Sequence, residues 1–342
     1  MSRSALVRAV VVAAFSLCLG VVVLGAYVRL SNAGLGCPDW PGCYGHLTPG
    51  GAAADARTAA APLAGRPLDV GKAWREMLHR YAAASLGFLI VCLTAMGIVW
   101  RRERIVPPWF GIALLAIVIF QSVLGMLTVT WQLKPLIVSL HLLFGFTTLS
   151  VLWWLLLTLW MRRRGTRRSA GALSGHGLIA VRRLALLGVI AVALQIALGG
   201  WTSSNYAAIA CPDLPTCQGR WWPASDFRAG YALWGGLGRN YEGGVLQNPA
   251  RVAIHLTHRL GAVAASLTLL IAALAALRMR AARPAAAALL LLLAAQLTIA
   301  ISMVLLGFPL WLATAHNAGA ALLLLASLAL NRFLRPPGTG TP

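Results

Sequence analysis

Leu24-Gly25-Ala26-Tyr27, nine residues, then Cys37-Pro38-Asp39-Trp40-Pro41-Gly42-Cys43: this stretch returns as Leu198-Gly199-Gly200-Trp201, nine residues, then Cys211-Pro212-Asp213-Leu214-Pro215-Thr216-Cys217, a shift of 174. Two further landmarks move with it. Leu78-His79-Arg80 recurs as Thr257-His258-Arg259, shifted by 179, and His141 recurs as His316, shifted by 175, with Gln121 mapping onto Gln296. Self-similarity held at nearly one offset by separate landmarks marks an internal duplication. The chain therefore divides into halves, 1–165 and 181–342, joined by a basic linker at 166–180.

Composition places both halves in a membrane. Of 342 residues, 59% are hydrophobic and 11% charged, with a mean hydropathy of +0.76. Apolar runs approach the roughly 20 residues that cross a bilayer as a helix. Eight helices are expected, at about 8–28, 77–99, 109–130, 137–160, 181–201, 252–277, 285–307 and 310–331. Totals of seven or nine fit less well. The first run follows Arg3 and Arg8 but is longer than a signal core and continues into Tyr27-Val28-Arg29, so it is read as a retained helix. Four helices per half is an even number, so the halves share one orientation about an axis along the membrane normal, a parallel internal repeat.

Arginine placement sets the expected orientation. Arg3, Arg8, Arg101, Arg102, Arg104, the 162–168 cluster, Arg182, Arg183, Arg278, Arg280, Arg283, Arg332 and Arg335 fall on one side, which is then cytoplasmic with both termini. Of the eight acidic residues, all but Glu103 lie toward the other side. The formal charge of +21 is thus mainly a topology signal, with anionic lipid headgroups as its counterpart. Nucleic acid is excluded as a partner, because no soluble basic domain carries the charge.

One histidine falls in each of four runs: His79 and His141 in the first half, His258 and His316 in the second. Neutral imidazole at membrane depth is costly without a partner, and one ligand from each of two facing helices is how a bundle grips a heme iron from both sides. From the expected helix starts, all four sit within roughly 10 Å of the outer helix ends at 1.5 Å per residue. The bland alternative is a core histidine bonded to a neighbour. A diiron site would need several carboxylates, and the bundles offer only Glu76. His255, three residues before His258 on the same face, reads as a heme-edge or supporting group ahead of a ligand. His46 and His176 fall in loops and read as solvated.

Cys18 and Cys92 read as small apolar filler within helices. The remaining four cysteines bracket the two repeated outer segments. Their Pro, Gly and Asp bend the chain, so Cys37–Cys43 and Cys211–Cys217 read as disulfides closing small loops in an oxidising compartment. A redox role in electron delivery stays open for them. Glu76 precedes His79 by three residues and shares its face, where a carboxylate could move protons or stabilise a developing cation; the alternative is a helix-start charge favoured by the macrodipole. The second half has His255 at that place and no acid. The asymmetry suggests a reactive site in the first half and a retained cofactor in the second. Residues 49–67, rich in Ala, Gly and Pro, read as a flexible excursion of the first outer loop.

Taken in order, Gly25-Ala26-Tyr27-Val28-Arg29-Leu30-Ser31 with the Cys37–Cys43 loop, Glu76-x-x-His79-Arg80, His141, His258-Arg259 and His316 resemble heme A synthase across essentially the whole chain. The resemblance implies an all-α integral membrane fold of eight transmembrane helices in two four-helix bundles related by a pseudo-twofold. It implies an oxidoreductase that converts the C8 methyl of heme O to a formyl group by successive hydroxylation, for cytochrome oxidase assembly. His79 and His141 would flank the substrate heme beside a catalytic Glu76. His258 and His316 would ligate a heme b cofactor that passes electrons. Cys37–Cys43 would be the family disulfide, with Cys211–Cys217 a second pair. Arg80 and Arg259 are candidates to pair with heme propionates or to snorkel to the interface. Bis-histidine ligation leaves iron no open position, so either one ligand leaves or electrons are removed and water then attacks, and Glu76 suits the second route. Candidate partners are membrane lipid, heme O, a heme O synthase, an electron carrier and a second copy of the chain; the expected location is a multi-pass inner cell membrane with the cysteine loops outside. The competing classes are a diheme b-type membrane electron carrier and a heme carrier that releases its ligand unaltered.

Overall fold

The computed structural model describes residues 2–58, 68–163 and 176–334. Linker residues 166–175, loop residues 59–67, Arg164, Arg167, Arg168 and Arg335 lie outside the described residues. The regular secondary structure of the described residues is helical, apart from two isolated bridges, Cys43–His46 and Cys217–Arg220. Ten helices follow in order: α1 Arg3–Leu30, α2 Pro49–Thr58, α3 Val70–Val99, α4 Pro108–Thr130, α5 Pro135–Arg163, α6 His176–Ser204, α7 Phe227–Gly230, α8 Asn248–Leu277, α9 Arg283–Leu305 and α10 Leu310–Phe333. All but α2 and α7 are long and apolar enough to cross a membrane, which gives the eight expected. Their outward residues are large and apolar, Phe88 67% and Leu291 72% exposed, as a surface against lipid requires.

Several helices begin earlier than their apolar runs. α3 starts at Val70 because Asp69 caps it, its carboxylate accepting from the Lys72 N–H at 3.0 Å. α8 starts at Asn248 with Pro249 in its first turn, and α6 at His176, so 176–180 is helix and not linker. These polar first turns extend the helices past the stretch that hydropathy marks. The expected loop at 49–67 is also corrected in part. Its Ala52-Ala53-Ala54 run favours helix, and α2 forms there with the Thr48 Oγ1 accepting from Gly51 N–H.

In the first half α1 packs on α3 and α5, and α4 closes the ring between α3 and α5. In the second, α6 packs on α8 and α10 while α9 closes the ring between them. The seam joins α5 to α6 and α10, and α1 to α10. Backbone conformation repeats with the sequence: residues in the left-handed region include Asn32 and Tyr206, Tyr44 and Gln218, Gly45 and Gly219, Leu133 and Phe308. Each pair occupies matching places in the two halves. At the seam, equivalent positions touch directly. Arg29 Nη2 donates to the Ser203 carbonyl at 2.6 Å, and Tyr206 Oη donates to Asn32 Oδ1 at 3.2 Å, each pair 174 residues apart.

Deeper in the seam, Trp153 Nε1 donates to the Leu325 carbonyl at 2.9 Å. Trp153→Phe keeps the ring and removes that bond, so thermal unfolding in detergent should fall by a few °C, in line with about 1 kcal/mol for one neutral hydrogen bond. An unchanged melting temperature would show that the seam rests on apolar packing alone.

Candidate functional site

His79 lies on α3 and His141 on α5, the diagonal helices of the first ring; His258 on α8 and His316 on α10 form the same diagonal in the second. His79 and His258 are nine and ten residues past the observed helix starts, and His141 and His316 six residues past theirs. At about 1.5 Å per residue the first two are some 14–15 Å down their helices, deeper than the sequence suggested because those helices start earlier. The helices flanking each diagonal leave room for the rings. A Cβ on Gly25 of α1 would lie 2.8 Å from His79 Cε1, one on Gly125 of α4 3.1 Å from His141 Cε1, and one on Gly199 of α6 3.2 Å from His258 Cε1.

The donor set fits a metal gripped from two sides. His258 and His316 ring centres stand 6.5 Å apart at 77°. With metal–imidazole bonds of about 2.0–2.1 Å and roughly 1 Å from each nitrogen to its ring centre, two facing ligands place their centres roughly 6–6.5 Å apart. Gln195 Nε2 lies 3.0 Å from His258 Nδ1 and donates to the His258 carbonyl, and Gln296 Nε2 lies 3.2 Å from His316 Nδ1 and donates to its carbonyl. In the first half Gln121 donates to the His141 carbonyl at 2.8 Å, and neither His79 nor His141 has a side-chain partner at Nδ1. Val21 stands at the place equivalent to Gln195. Gln195 and the facing glycines were not singled out from sequence as site residues; the glycines could have been, since Gly25 and Gly199 sit inside the repeated motif.

Both cysteine pairs are disulfides, Cys37–Cys43 and Cys211–Cys217. Each loop is held by the arginine that follows a histidine. Arg80 Nη1 donates to the carbonyls of Asp39, Pro41 and Gly42; Arg259 donates to those of Cys211, Asp213 and Thr216. A guanidinium fork thus converges the loop onto the helix that carries the histidine. In the first half a carboxylate joins this network: Glu76, 4% exposed, pairs with Arg80 and accepts from the Cys37 N–H at 2.9 Å. Glu76 is six residues past the start of α3, beyond the turn in which a helix dipole favours acids, so the helix-start explanation for it fails. At the equivalent place His255 is 5% exposed, with its ring edge-on to Phe308 at 6.4 Å. His46 bonds Asp55 at 2.8 Å across the base of α2; the His176 side chain lies outside the described residues.

One further cation was not anticipated. Lys134, 1% exposed, precedes α5 by one residue and His141 by seven, a spacing that shares a helix face two turns outward. Its ammonium lies 3.1 Å from the ring centre of Trp234 and 5.3 Å from that of Trp131, with no hydrogen-bond partner. Trp234 belongs to the second half, whose α7–α8 connection also bonds the first through Tyr241 N–H to the Gln132 carbonyl at 3.1 Å.

Two predictions follow from the loop clamps. Arg80→Gln should speed reduction of Cys37–Cys43 by on the order of tenfold or more and leave Cys211–Cys217 unchanged, with Arg259→Gln doing the reverse, because each lost charge-assisted bond is worth about 1.5–3 kcal/mol. Mass-spectrometric alkylation kinetics read each pair separately; equal effects on both loops would refute the assignment. In the second loop, the Thr216 hydroxyl and the N–H groups of Gly219 and Gln218 hold the Asp213 carboxyl down at about 2, from an ordinary 3.8. A lowered carboxylate stabilises above the unfolded value, and that contribution disappears as pH falls through the folded one. The difference in phosphine reduction rate between wild type and Asp213→Asn should therefore hold at pH 6 and vanish between about pH 4 and 2; a difference that persists at pH 2 would contradict it.

Residues 8–328 match the model of the COX15-CtaA family, described as a cytochrome oxidase assembly protein. The chain is 40% identical over 314 residues to a heme A synthase of Shewanella oneidensis, covering 92% of each protein. It is 28% identical to a heme A synthase of Rhizorhabdus wittichii, covering 94% of this chain and 92% of the relative. To a heme A synthase of Shouchella clausii it is 27% identical over 59% of this chain and 61% of the relative.

Proposed function

The chain belongs to the COX15-CtaA family of cytochrome oxidase assembly proteins and to the heme A synthases within it, and from that premise we propose that it oxidises the C8 methyl of heme O to a formyl group by successive hydroxylation. It is a membrane enzyme acting in heme metabolism. The first half, 1–165, takes the substrate between His79 and His141; the second, 181–342, keeps heme b between His258 and His316. Heme b, when bound, supplies a one-electron redox centre. A pseudo-twofold along the membrane normal relates the halves, supported by the touching equivalents Arg29–Ser203 and Asn32–Tyr206. The arginine distribution supports cytoplasmic termini and outer cysteine loops.

The observation that carries the assignment of roles is the asymmetry at the third residue before each histidine. Glu76 is a buried carboxylate one turn outward of His79, tied to Arg80 and to the disulfide loop, whereas His255 fills that place beside His258. A carboxylate so held can take a proton from attacking water and stabilise positive charge developing at the methyl carbon. Its two hydrogen-bond partners fix its direction, so no reorganisation is needed as charge develops. Gln195 and Gln296 set carboxamide nitrogens beside the second-half rings and bond the backbone carbonyls of both histidines, which fixes where those rings sit. The first-half rings have no carboxamide beside Nδ1; their nearest hydrogen-bonding groups are the backbones of Val21 and Gln121. Arg80 and Arg259 are committed to loop carbonyls and reach propionates only through N–H groups not so used. Lys134, on the His141 face and without a hydrogen-bond partner, is the further cation for a substrate carboxylate.

Expression with a heme O supply, followed by extraction and mass identification of the hemes, tests this. Heme b together with heme O, its hydroxylated form or heme A is the expected result; heme b alone at two per chain would establish the diheme electron carrier instead. Glu76→Gln should keep both hemes bound while conversion falls by about 100-fold or more, the scale of a positioned acid–base group. Full conversion by that variant would remove Glu76 from the mechanism.

A further inference from the structure

A cavity of about 440 Å³ lies at the end of the bundle away from the cysteine loops, where α5 of the first half meets α6 and α10 of the second. Its walls include Trp154 from α5, Arg182, Arg183, Leu186 and Val189 from α6, and Leu328 from α10. Arg182, Leu186 and Val189 are spaced i, i+4 and i+7, so one face of α6 presents a guanidinium near the helix start and apolar side chains progressively deeper. Among the described residues neither Arg182 nor Arg183 has a hydrogen bond or an ion pair. Among the described residues the one acid at this end, Glu103, is paired with Arg3. The cavity is thus an open groove, Leu186 on its wall being 54% exposed, cationic toward the start of α6, apolar farther along it, and walled by both halves.

We propose that this cavity binds one anionic glycerophospholipid, its phosphate on Arg182 and Arg183 and an acyl chain along Leu186, Val189 and Leu328, bridging the seam between the halves. Guanidinium groups suit phosphate oxygens in paired hydrogen bonds, and basic pockets between membrane helices are suited to anionic headgroups. A free phosphate ion would satisfy the arginines but leave the apolar inner wall uncovered, which favours the lipid. The inference rests on the membrane fold and not on the chemistry proposed for the histidine sites.

The test is native mass spectrometry of the full chain in neutral detergent, stripped of lipid and titrated with phosphatidylglycerol or phosphatidylcholine of matched acyl chains. One phosphatidylglycerol should bind where phosphatidylcholine does not, and R182Q/R183Q should weaken it by about 30-fold, the scale for two basic residues at an anionic headgroup. R278Q/R280Q, which removes equal charge at the same end outside the cavity, should leave binding unchanged. Leu186→Trp, which fills the inner part and keeps both charges, should also weaken it, and serves if the double arginine variant fails to fold. Equal binding of phosphatidylcholine, equal loss in R278Q/R280Q, no loss in R182Q/R183Q or Leu186→Trp, or displacement of the lipid by millimolar inorganic phosphate would each overturn the proposal.

Discussion

Four imidazoles held at membrane depth, on four separate helices, set the terms for the rest of the structure. A polar ring in a dry bundle is tolerated only if its nitrogens find partners and its volume finds room. Both demands fall on the neighbouring helices. Room comes from Gly25, Gly125 and Gly199, where a side chain would press on the ring. In the second half the partners are glutamines of the flanking helices. The ring order of each half, with histidine helices on the diagonal and glycine or glutamine helices between them, follows from those needs and from four apolar helices closing on one another.

The halves share this frame but use it differently. His258 and His316 each have a glutamine nitrogen beside Nδ1, while His79 and His141 have none in hydrogen-bond geometry. Near His79 the polar contacts are instead concentrated in the link from Arg80 through Glu76 to the Cys37 N–H. Duplication followed by divergence explains why one half supports its rings and the other supports a carboxylate. In a bilayer that carboxylate is expensive to bury, and its place beside one histidine pair only fits the reactive site proposed for the first half.

Much of this was legible in the chain because its signals are local or periodic. Apolar runs gave eight helices, and the Cys-Pro-Asp motifs gave the repeat and the disulfides. What sequence missed has physical causes. Helix starts at Val70, His176 and Asn248 are set by capping and polar first turns, which hydropathy does not register. Arg80 and Arg259 looked free to meet propionates, yet their guanidinium groups reach back across about 40 residues of sequence to loop carbonyls, a contact without periodicity. α2 escaped notice because an alanine run among Gly and Pro reads as loop by composition. Lys134 was hidden for the same reason as Arg80: its partners, Trp131 and Trp234, come from different halves.

That last contact bears on how two halves built alike can act as one protein. The α7–α8 connection of the second half crosses the seam, placing Trp234 over Lys134 and the Tyr241 N–H on the Gln132 carbonyl, two turns outward of His141. Arg29, one turn outward of the Gly25 that faces His79, is bonded to Ser203 across the same seam. Each histidine of the first half therefore has, on its outward side, a cation whose position is fixed by the second half. Neither bundle alone could hold those cations in place, since removing the partner half would leave Lys134 without its Trp234 face and Arg29 without its carbonyl. The first-half site is completed by the second half in the same sense that a heme pocket is completed by its second ligand, and this gives a physical reason for the duplication to have stayed in one chain.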